Sequence, residues 1–489
     1  MGFGQFWLYA ADYSMNQNCL KAYDLILELR FDEAQELLKI EKTSNPSNRI
    51  IPYLENYRDF LRIIISEEEL VFNSLSDQKK NRLAQIESGN AESPWHLYCQ
   101  AQVNMQWAFA RIKFGEYTTA ALELNRSYRQ LIRNRELFPD FSPNYAALGL
   151  LHVLIGSVPD KYKWLSDALS FQGSVNQGIG ELRKIIEDPE TQVHFPFLRS
   201  EGLFLFSFIT LNFSALPEDS KHLIGLLENP ENKELIAKSP LLVYAASAYY
   251  LNNGKNDMAL GLLQNRPKGP AYFPFFYLEY LTGTAKLHKL DPEARLYFLR
   301  FVVNFKGKNF IKSAYQRLAW IELLKDNKSG YNDYMTRVKL LGGNDLDGDR
   351  QAMKDASIIA PPDKTLLKAR LLFDGGYYSK ALWELKSSGA GHPASSREKI
   401  EYTYRMARIY HKTGDTKEAI LNYSETLDKG KAYPFYFAAN SALQLGLIYE
   451  ASGNKEKART YYRKCLSLKY DEYQNSISQK AKAGLSRLK

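Results

Sequence analysis

The chain has 489 residues, of which 45% are hydrophobic and 24% are charged, and its formal net charge is +9. This composition excludes a disordered or collagen-like chain. Three cysteines far apart in the sequence (Cys19, Cys99 and Cys465) exclude a disulfide framework and a cysteine-based zinc site. A small positive surplus spread over this length does not predict nucleic-acid binding, which typically needs a concentrated basic face.

Residues 1–14 form an apolar N-terminal segment, MGFGQFWLYAADYS. No Lys or Arg precedes its apolar part, so a secretory signal is not predicted. Cytoplasm is the default expectation for localisation, with bacterial periplasm as the alternative if a signal precedes this start. The apolar stretch Phe3–Ala11 leaves peripheral membrane association open. The longest nearly apolar stretches, 146–158 and 202–216, are shorter than the roughly 20 residues that a membrane-spanning helix needs.

Residues 15–140 carry degenerate copies of a repeated spacing. Ala108 is followed seven residues later by Gly115 and five residues after that by Ala120. Ala22 and Ala34 keep the outer spacing without the glycine. Small residues at these intervals, with few strand signals between them, predict pairs of helices joined by short turns.

Residues 141–360 form a divergent helical-repeat section, in which Tyr250, Gly254 and Ala259 keep part of the spacing. Its acidic run, 344–349, approaches a calcium-binding loop. Counted from Asp345, however, positions 6 and 12 are Arg350 and Ala356, where glycine and an acid are needed. The run therefore predicts no metal site, and we expect Asp349 to cap a helix over 351–356.

Residues 361–489 hold the most regular repeats. Two adjacent units share a small residue (Ala407, Gly446), a glycine (Gly414, Gly453) and an alanine (Ala419, Ala458). Small residues allow two helices to cross closely, and glycine favours the left-handed conformation that ends a helix. This is the pattern of the tetratricopeptide repeat. Because one hairpin cannot bury its own apolar faces, the sequence predicts an all-α fold, an α-solenoid of stacked antiparallel helix pairs forming a tetratricopeptide-like superhelix.

The divergent section also resembles the tetratricopeptide repeat protein 39 family, which includes the fungal inclusion body clearance protein of the outer mitochondrial membrane. The resemblance is carried by residues 144–182, at Gly149, Leu151, Leu154, Pro159, Leu165, Leu169, Phe171, Gly173, Gly178 and Leu182. It implies an all-helical scaffold without catalytic residues to transfer. The composition, rich in Lys, Asn, Ile and Tyr, resembles that of a bacterial relative of this family.

Motifs for catalysis, metal binding or phosphate binding are not found in the sequence. The seven histidines are scattered, so no enzyme activity, metal or cofactor is predicted. The favoured function is a non-catalytic scaffold that binds proteins or peptides, with no nucleic acid, on a concave face formed by the first helix of each pair. The candidate partner-binding residues are Tyr404, Arg408, His411, Lys412, Asn440 and Glu450.

Their mixture of ring, cation and amide would suit a peptide with acidic character. Two alternatives stay open. One is a small-molecule binder or enzyme with a pocket in 141–345, where aromatic residues are abundant. The other is a peripheral membrane-associated adaptor. Partner identity and oligomeric state do not follow from the sequence.

Overall fold

The computed structural model describes residues 9–10, 12–157, 171–214, 216–358, 360–387 and 395–488. Apart from Tyr9 and Ala10, the apolar stretch Phe3–Ala11 lies outside these ranges. Three positions of the family resemblance, Pro159, Leu165 and Leu169, also lie outside them.

The described chain is helical apart from one short antiparallel strand pair, β1 (Tyr9–Ala10) and β2 (Tyr13–Ser14), in which Ala10 pairs with Tyr13. It divides into two compact units. Unit 1 comprises Met1–Asn252, Met258–Leu281 and Val303–Lys308. Unit 2 comprises Asn253–Asp257, Thr282–Val302 and Asn309–Lys489. The predicted domain boundaries near 14, 140 and 360 stay predictions.

Most helices of the first half belong to unit 1. They are α1 (Gln17–Leu27), α2 (Phe31–Ser44), α3 (Ile50–Ser66), α4 (Glu69–Leu75), α5 (Gln78–Glu87), α6 (Pro94–Lys113), α7 (Tyr117–Leu137), α8 (Pro143–Gly156), α9 (Val175–Glu187), α10 (Pro189–His194), α11 (Leu198–Asn212), α12 (Pro217–Glu228), α13 (Pro230–Lys238) and α14 (Pro240–Asn252). Three helices contribute residues to both units: α15 (Asn256–Gln264), α16 (Tyr277–His288) and α17 (Ala294–Asn304).

The remaining helices belong to unit 2. They are α18 (Ile311–Leu324), α19 (Lys328–Leu340), α20 (Asp347–Ala356), α21 (Lys364–Asp374), α22 (Tyr378–Ser387), α23 (Ser396–Thr413), α24 (Thr416–Gly430), α25 (Tyr436–Ala451), α26 (Lys455–Ser467) and α27 (Gln474–Arg487). Sequential helices pair through short turns, and neighbouring pairs pack together within this unit. The predicted all-α fold of stacked antiparallel helix pairs is therefore confirmed.

One local rule recurs at eight helix-to-helix turns of the described chain. Each turn has one residue in the left-handed region, with φ between 60° and 88°. Five of these residues are glycines: Gly115, Gly254, Gly376, Gly414 and Gly453. The other three are Leu29, Leu290 and Asp326. A left-handed residue reverses the chain within a few residues, so these three turns have the same geometry without the glycine that marks it in the sequence.

A second rule fixes the helix crossings. Seven residues before each left-handed residue the chain has a small, buried residue: Ala22, Ala108, Ser247, Gly283, Ala319, Ala369, Ala407 and Gly446. On the second helices, Ala419 and Ala458 are fully buried. Contact is closest at Gly446, where an added Cβ would lie 2.5 Å from Cε1 of Tyr462.

The acidic run at 344–349 differs from its prediction. The helix begins at Asp347, and no side chain caps its own start. Asp349 lies in the first turn and caps α18 instead. Its Oδ1 accepts a hydrogen bond from the backbone N of Ser313 at 2.8 Å, and its Oδ2 accepts one from the backbone N of Phe310 at 2.7 Å. The predicted cap was thus wrong about which helix is capped, because a tertiary contact satisfies the α18 start.

Candidate partner-binding site

A cavity of about 170 Å³ lies in unit 2. The first helices of three successive pairs, α21, α23 and α25, contribute to its lining, together with α18, α19 and α20. Its aromatic lining residues are Trp320, Tyr331, Tyr436, Phe437 and Tyr473. Its charged lining residues are five carboxylates and three arginines: Asp355, Asp363, Glu398, Glu401, Glu472, Arg370, Arg397 and Arg405. A concave site with rings and a few charged groups is the usual form of a ligand site.

Two arginines lie over rings in this part of unit 2: Arg370, which lines the cavity, and Arg408, which does not. The guanidinium carbon of Arg370 lies 5.1 Å from the ring centre of Trp320. That of Arg408 lies 4.1 Å from the ring centre of Phe373. Cation–π contacts of this kind position a guanidinium while leaving its N–H groups available, since they use the flat face of the group.

Both arginines approach the same carboxylate, that of Asp374. Nε of Arg370 lies 3.8 Å from Oδ2, and Nη1 of Arg408 lies 4.0 Å from Oδ1. These distances exceed those of hydrogen bonds. Neither guanidinium donates a hydrogen bond to another residue within the described ranges. Burial lowers the pKa of Arg408, but Tyr404 and Asp374 raise it more, so the group stays charged.

The other charged groups of the cavity are engaged within the protein. Arg405 donates from Nε to Glu401 at 2.8 Å, and Arg397 donates from Nη2 to Glu472 at 2.9 Å. One oxygen of Glu472, Oε2, is buried and accepts no hydrogen bond from the described residues. Among the arginines that line the cavity, only Arg370 donates no hydrogen bond within the described ranges.

Asp355 supplies a further buried carboxylate on the cavity wall. It accepts hydrogen bonds from Nε2 of Gln316 at 2.6 Å and from Nε2 of Gln351 at 2.8 Å. Burial raises the pKa of Asp355, and the nearby charge of Arg370 opposes that rise. Both carboxylate oxygens of Asp355 accept hydrogen bonds from side-chain amides, so this residue stabilises the wall of the cavity.

Of the six residues predicted to bind a partner, none lines this cavity, although Tyr404 packs against its lining residue Tyr436 and Arg408 lies beside Tyr404. Tyr404 is buried, and its ring centre lies 5.7 Å from the guanidinium carbon of Arg408 and 5.7 Å from the ring centre of Tyr436. Arg408 belongs to the pair of arginines described above. Both residues are on α23, which provides one wall of the cavity.

The other four do not join them. His411 and Lys412 lie in the last turn of α23, where Nδ1 of His411 is 3.4 Å from the hydroxyl of Tyr423 and Lys412 is exposed. Asn440 is half-buried and accepts a hydrogen bond from Nε2 of Gln444 at 3.1 Å.

Glu450 is engaged by other parts of the protein. Nε and Nη2 of Arg487 each donate to its carboxylate at 2.9 Å, and the hydroxyl of Tyr462 also donates to it. The hydrogen bonds from Arg487 come first among the contacts that lower the pKa of Glu450. This residue joins α27 to the last repeat.

Sequence reasoning missed Arg370 and Trp320, although a signal for them exists. Each follows directly after the small residue of its first helix, Ala369 or Ala319, as Arg408 follows Ala407. One register position on three first helices therefore supplies Trp320, Arg370 and Arg408. The pair that contains Trp320 has no glycine at its turn, because the left-handed residue there is Asp326. The position of Trp320 in the repeat could therefore be recognised only from the structure of the turn.

Metal and membrane features were searched over the described ranges. No group of three His, Cys, Asp or Glu side chains there could hold a metal ion. Among the described helices, none combines the length and apolar character needed to cross a bilayer. The pocket considered in 141–345 stays a prediction.

Comparison with known protein families finds a match to part of the chain. Residues 399–471 match the family model described as Tetratricopeptide repeat. They cover nearly all of the pair α23–α24 and the pair α25–α26, where the regular spacing is found. No curated protein matches this chain.

A solved structure, the APC/C hetero-tetramer Cut9-Hcn1, is similar at 11% identity over 96% of this chain and 100% of that chain, with a TM-score of 0.23. At that TM-score, the similarity supports no argument about shape or function.

Proposed function

We propose that the protein is a non-catalytic interaction scaffold, in which the unit 2 cavity binds an extended segment of a partner protein. The observation that carries this proposal is the convergence of three successive first helices on one cavity lined by rings and by Arg370, whose guanidinium donates no hydrogen bond within the described ranges. The match of residues 399–471 to tetratricopeptide repeats supports it, since stacked helix pairs present extended binding surfaces.

The residue types favour a peptide over a small molecule. Rings on α18, α19 and α25 offer apolar contact, while Arg370 on α21 offers hydrogen-bond donors that no described residue accepts. Contacts spread over successive helices suit an extended ligand such as a polypeptide. The finer resemblance to the tetratricopeptide repeat protein 39 family implies the same kind of scaffold and stays a prediction.

The proposal is tested by blocking the cavity from its rim. Ile358 lines the cavity and is 47% exposed, so Ile358→Trp should obstruct it without disturbing the core. Leu421 on α24 is 60% exposed and lies outside the cavity lining, so Leu421→Trp is the matched control. Peptides selected from a random display library against the native protein should lose binding to Ile358→Trp and keep binding to Leu421→Trp.

Two results would contradict the proposal. One is a selection that yields no binding peptide. The other is a set of selected peptides that bind both variants as well as they bind the native protein, since such peptides contact another surface.

A further inference from the structure

The exposed side of α7, in unit 1, is positively charged. This helix is the second of the pair α6–α7, so its exposed side is not part of the first-helix surface considered above. We propose that it binds an acidic amphipathic helix of a partner protein. The proposed interaction does not involve the unit 2 cavity.

Five side chains define this surface, which we call the α7 arginine face: Leu122, Arg126, Arg129, Arg133 and Leu137. They follow one another at intervals of four, three, four and four residues, so they lie along one side of a helix with about 3.6 residues per turn. All five are exposed, Leu122 by 64% and Leu137 by 46%. At about 1.5 Å per residue, the face extends roughly 22 Å from one leucine to the other.

The arginines of this face have hydrogen-bond donors that the protein does not use. Arg126 and Arg129 form no ion pair or hydrogen bond with any residue that the structure describes. Arg133 lies 3.3 Å from Glu136, but these side chains are 62% and 58% exposed, and an exposed pair of this kind contributes little to stability. The exposed side of α7 therefore has three arginines against one glutamate.

The acidic residues at the start of α7 are paired with other cations. Glu123 is buried and accepts hydrogen bonds from Lys79 and, at 3.0 Å, from Nε of Arg111, which also donates to Glu116. Burial lowers the pKa of Lys79, Glu123 opposes this, and the charges of Arg111 and Arg126 lower the pKa further. Arg126 thus lies near another cation, and Glu123 does not neutralise it.

The residue types favour a helix as the partner. A guanidinium matches a carboxylate through two parallel hydrogen bonds. A helix lying along α7 presents carboxylates at the same intervals of three and four residues, as the charged flanks of coiled coils do. Apolar residues at its ends would contact Leu122 and Leu137. Nucleic-acid phosphates have no use for these leucines, and a membrane surface needs a broader apolar face.

The experiment selects helical peptides from a display library built on a stable helix, with one face varied among Glu, Gln, Lys and Leu. The target is the full chain. Binding of the selected peptides, and of versions with Gln in place of Glu, is measured by fluorescence anisotropy. The variants are Arg126→Gln/Arg129→Gln, Arg337→Gln/Arg463→Gln and Ile358→Trp. Arg337 and Arg463 are exposed residues of α19 and α26 in unit 2 without an ion pair in the described chain, so both double variants lose the same charge.

The selected helices should have Glu at intervals of three and four residues. Their Gln versions should bind the native protein at least about tenfold more weakly, and Arg126→Gln/Arg129→Gln should weaken binding of the Glu versions by a similar factor. Raising the salt concentration from about 0.1 M to about 1 M should remove most of the preference, because the Debye length falls from about 10 Å to about 3 Å. The unit 2 double variant and Ile358→Trp should bind as the native protein does.

A variant of a leucine tests the apolar part of the face. Leu122→Ser should weaken binding by about threefold or more, because it removes apolar contact and leaves the charge unchanged. Equal melting temperatures of the native protein and the variants would exclude unfolding as the cause of lost binding. Unchanged binding of Leu122→Ser would contradict a partner helix that spans the face.

Several outcomes would overturn the proposal. Examples are a selection that yields no helix, selected helices without acidic residues, and acidic helices that bind Arg126→Gln/Arg129→Gln as well as the native protein. Duplex DNA and phosphatidylserine vesicles are measured alongside. If the arginine variant loses binding to either of them and no acidic helix is selected, the face binds phosphate groups instead. These outcomes are independent of the unit 2 cavity, which Ile358→Trp tests separately.

Discussion

The same register position has opposite uses in the two units. In unit 1, Tyr23 follows the small residue Ala22 on α1. In unit 2, Arg370 and Arg408 follow the corresponding small residues on α21 and α23. The tyrosine is fully buried, and its hydroxyl donates to Glu201 at 2.6 Å. The arginines make no hydrogen bond within the described ranges.

The comparison shows that the direction of a side chain and its role are set by different features of the structure. In unit 1, Glu201 receives a second hydrogen bond from Tyr57 at 2.8 Å, and the ring of Phe197 packs edge-on against Tyr23 at 5.0 Å. That cluster joins three helices, α1, α3 and α11. The repeat register thus sets the direction of the side chain, while its neighbours decide whether it stabilises the fold or remains available to a ligand.

The largest expected effect comes from removing the shared acceptor of unit 1. Glu201→Ala leaves two buried tyrosine hydroxyls without their acceptor, so we expect unfolding free energy to fall by about 3 kcal/mol. Urea denaturation followed by circular dichroism measures this. The variant should still bind the peptides selected for unit 2 under native conditions. A stability loss below about 1 kcal/mol would contradict a structural role for the cluster.

A matched pair of tyrosines tests the comparison more finely. Tyr57→Phe removes one hydrogen bond to a buried carboxylate, which should cost about 2 kcal/mol. Tyr436 in unit 2 makes no hydrogen bond through its hydroxyl within the described ranges, so Tyr436→Phe should change stability by less than about 0.5 kcal/mol. Both are measured by urea denaturation. Equal losses would show that the hydroxyl of Tyr436 is as fully engaged as that of Tyr57.

Much of the fold was predictable because two kinds of residue are conspicuous in the sequence. A glycine marks the left-handed turn, and a small residue marks the helix crossing, so Gly414 and Ala407 identify a repeat. The turns at Leu29, Leu290 and Asp326 have the same conformation with other residues. Tertiary packing holds the turn at Leu29, which is fully buried.

The candidate site was less predictable. Tyr404 and Arg408 were predicted because they lie on a regular repeat, and they stay predictions, since neither lines the cavity. Trp320 was missed because the left-handed residue of its turn is Asp326 and not glycine. Arg370 lies on a pair that Gly376 marks, but the spacing alone did not show that its side chain lines a cavity. Glu450 was assigned to the binding face, but Arg487, far away in the sequence, engages it. Spacing within one hairpin cannot show which partner a charged side chain meets.

The left-handed turn position allows a smaller test, because some repeats have glycine there and others have a different residue. Gly414 has φ +88° with no atom near an added Cβ, so Gly414→Ala introduces only backbone strain and should cost about 1–2 kcal/mol. Asp326 has φ +62° and forms an ion pair with Lys364 at 2.6 Å, with its side chain 81% exposed. Because an exposed ion pair contributes little to stability, Asp326→Gly should relieve strain and raise the melting temperature slightly. Melting temperatures that move in the same direction would contradict this account of the turns.

The smallest expected effect is a difference between Glu201 and Glu450 in how their contributions to stability depend on pH. Burial raises the pKa of Glu201, with the hydrogen bonds from Tyr23 and Tyr57 opposing it. The hydrogen bonds from Arg487 lower the pKa of Glu450. Between the ordinary glutamate pKa of about 4.3 and the raised value, the folded chain holds a proton on Glu201 that the unfolded chain releases. The contribution of Glu201 to stability therefore falls as pH rises through that range.

Glu450 has the opposite sign, because its unfolded form binds the proton more readily. Its contribution is present above about pH 4.3 and is lost as pH falls towards the lowered pKa. Urea midpoints measured from acid to neutral pH should show these trends as differences from Glu201→Gln and Glu450→Gln. The gap between native protein and Glu201→Gln should shift against the native protein as pH rises, while the gap for Glu450→Gln shifts in its favour. If the two gaps change with pH in the same direction, Glu201 and Glu450 titrate alike. That result would contradict the electrostatic distinction between a buried carboxylate bound by tyrosine hydroxyls and one bound by an arginine.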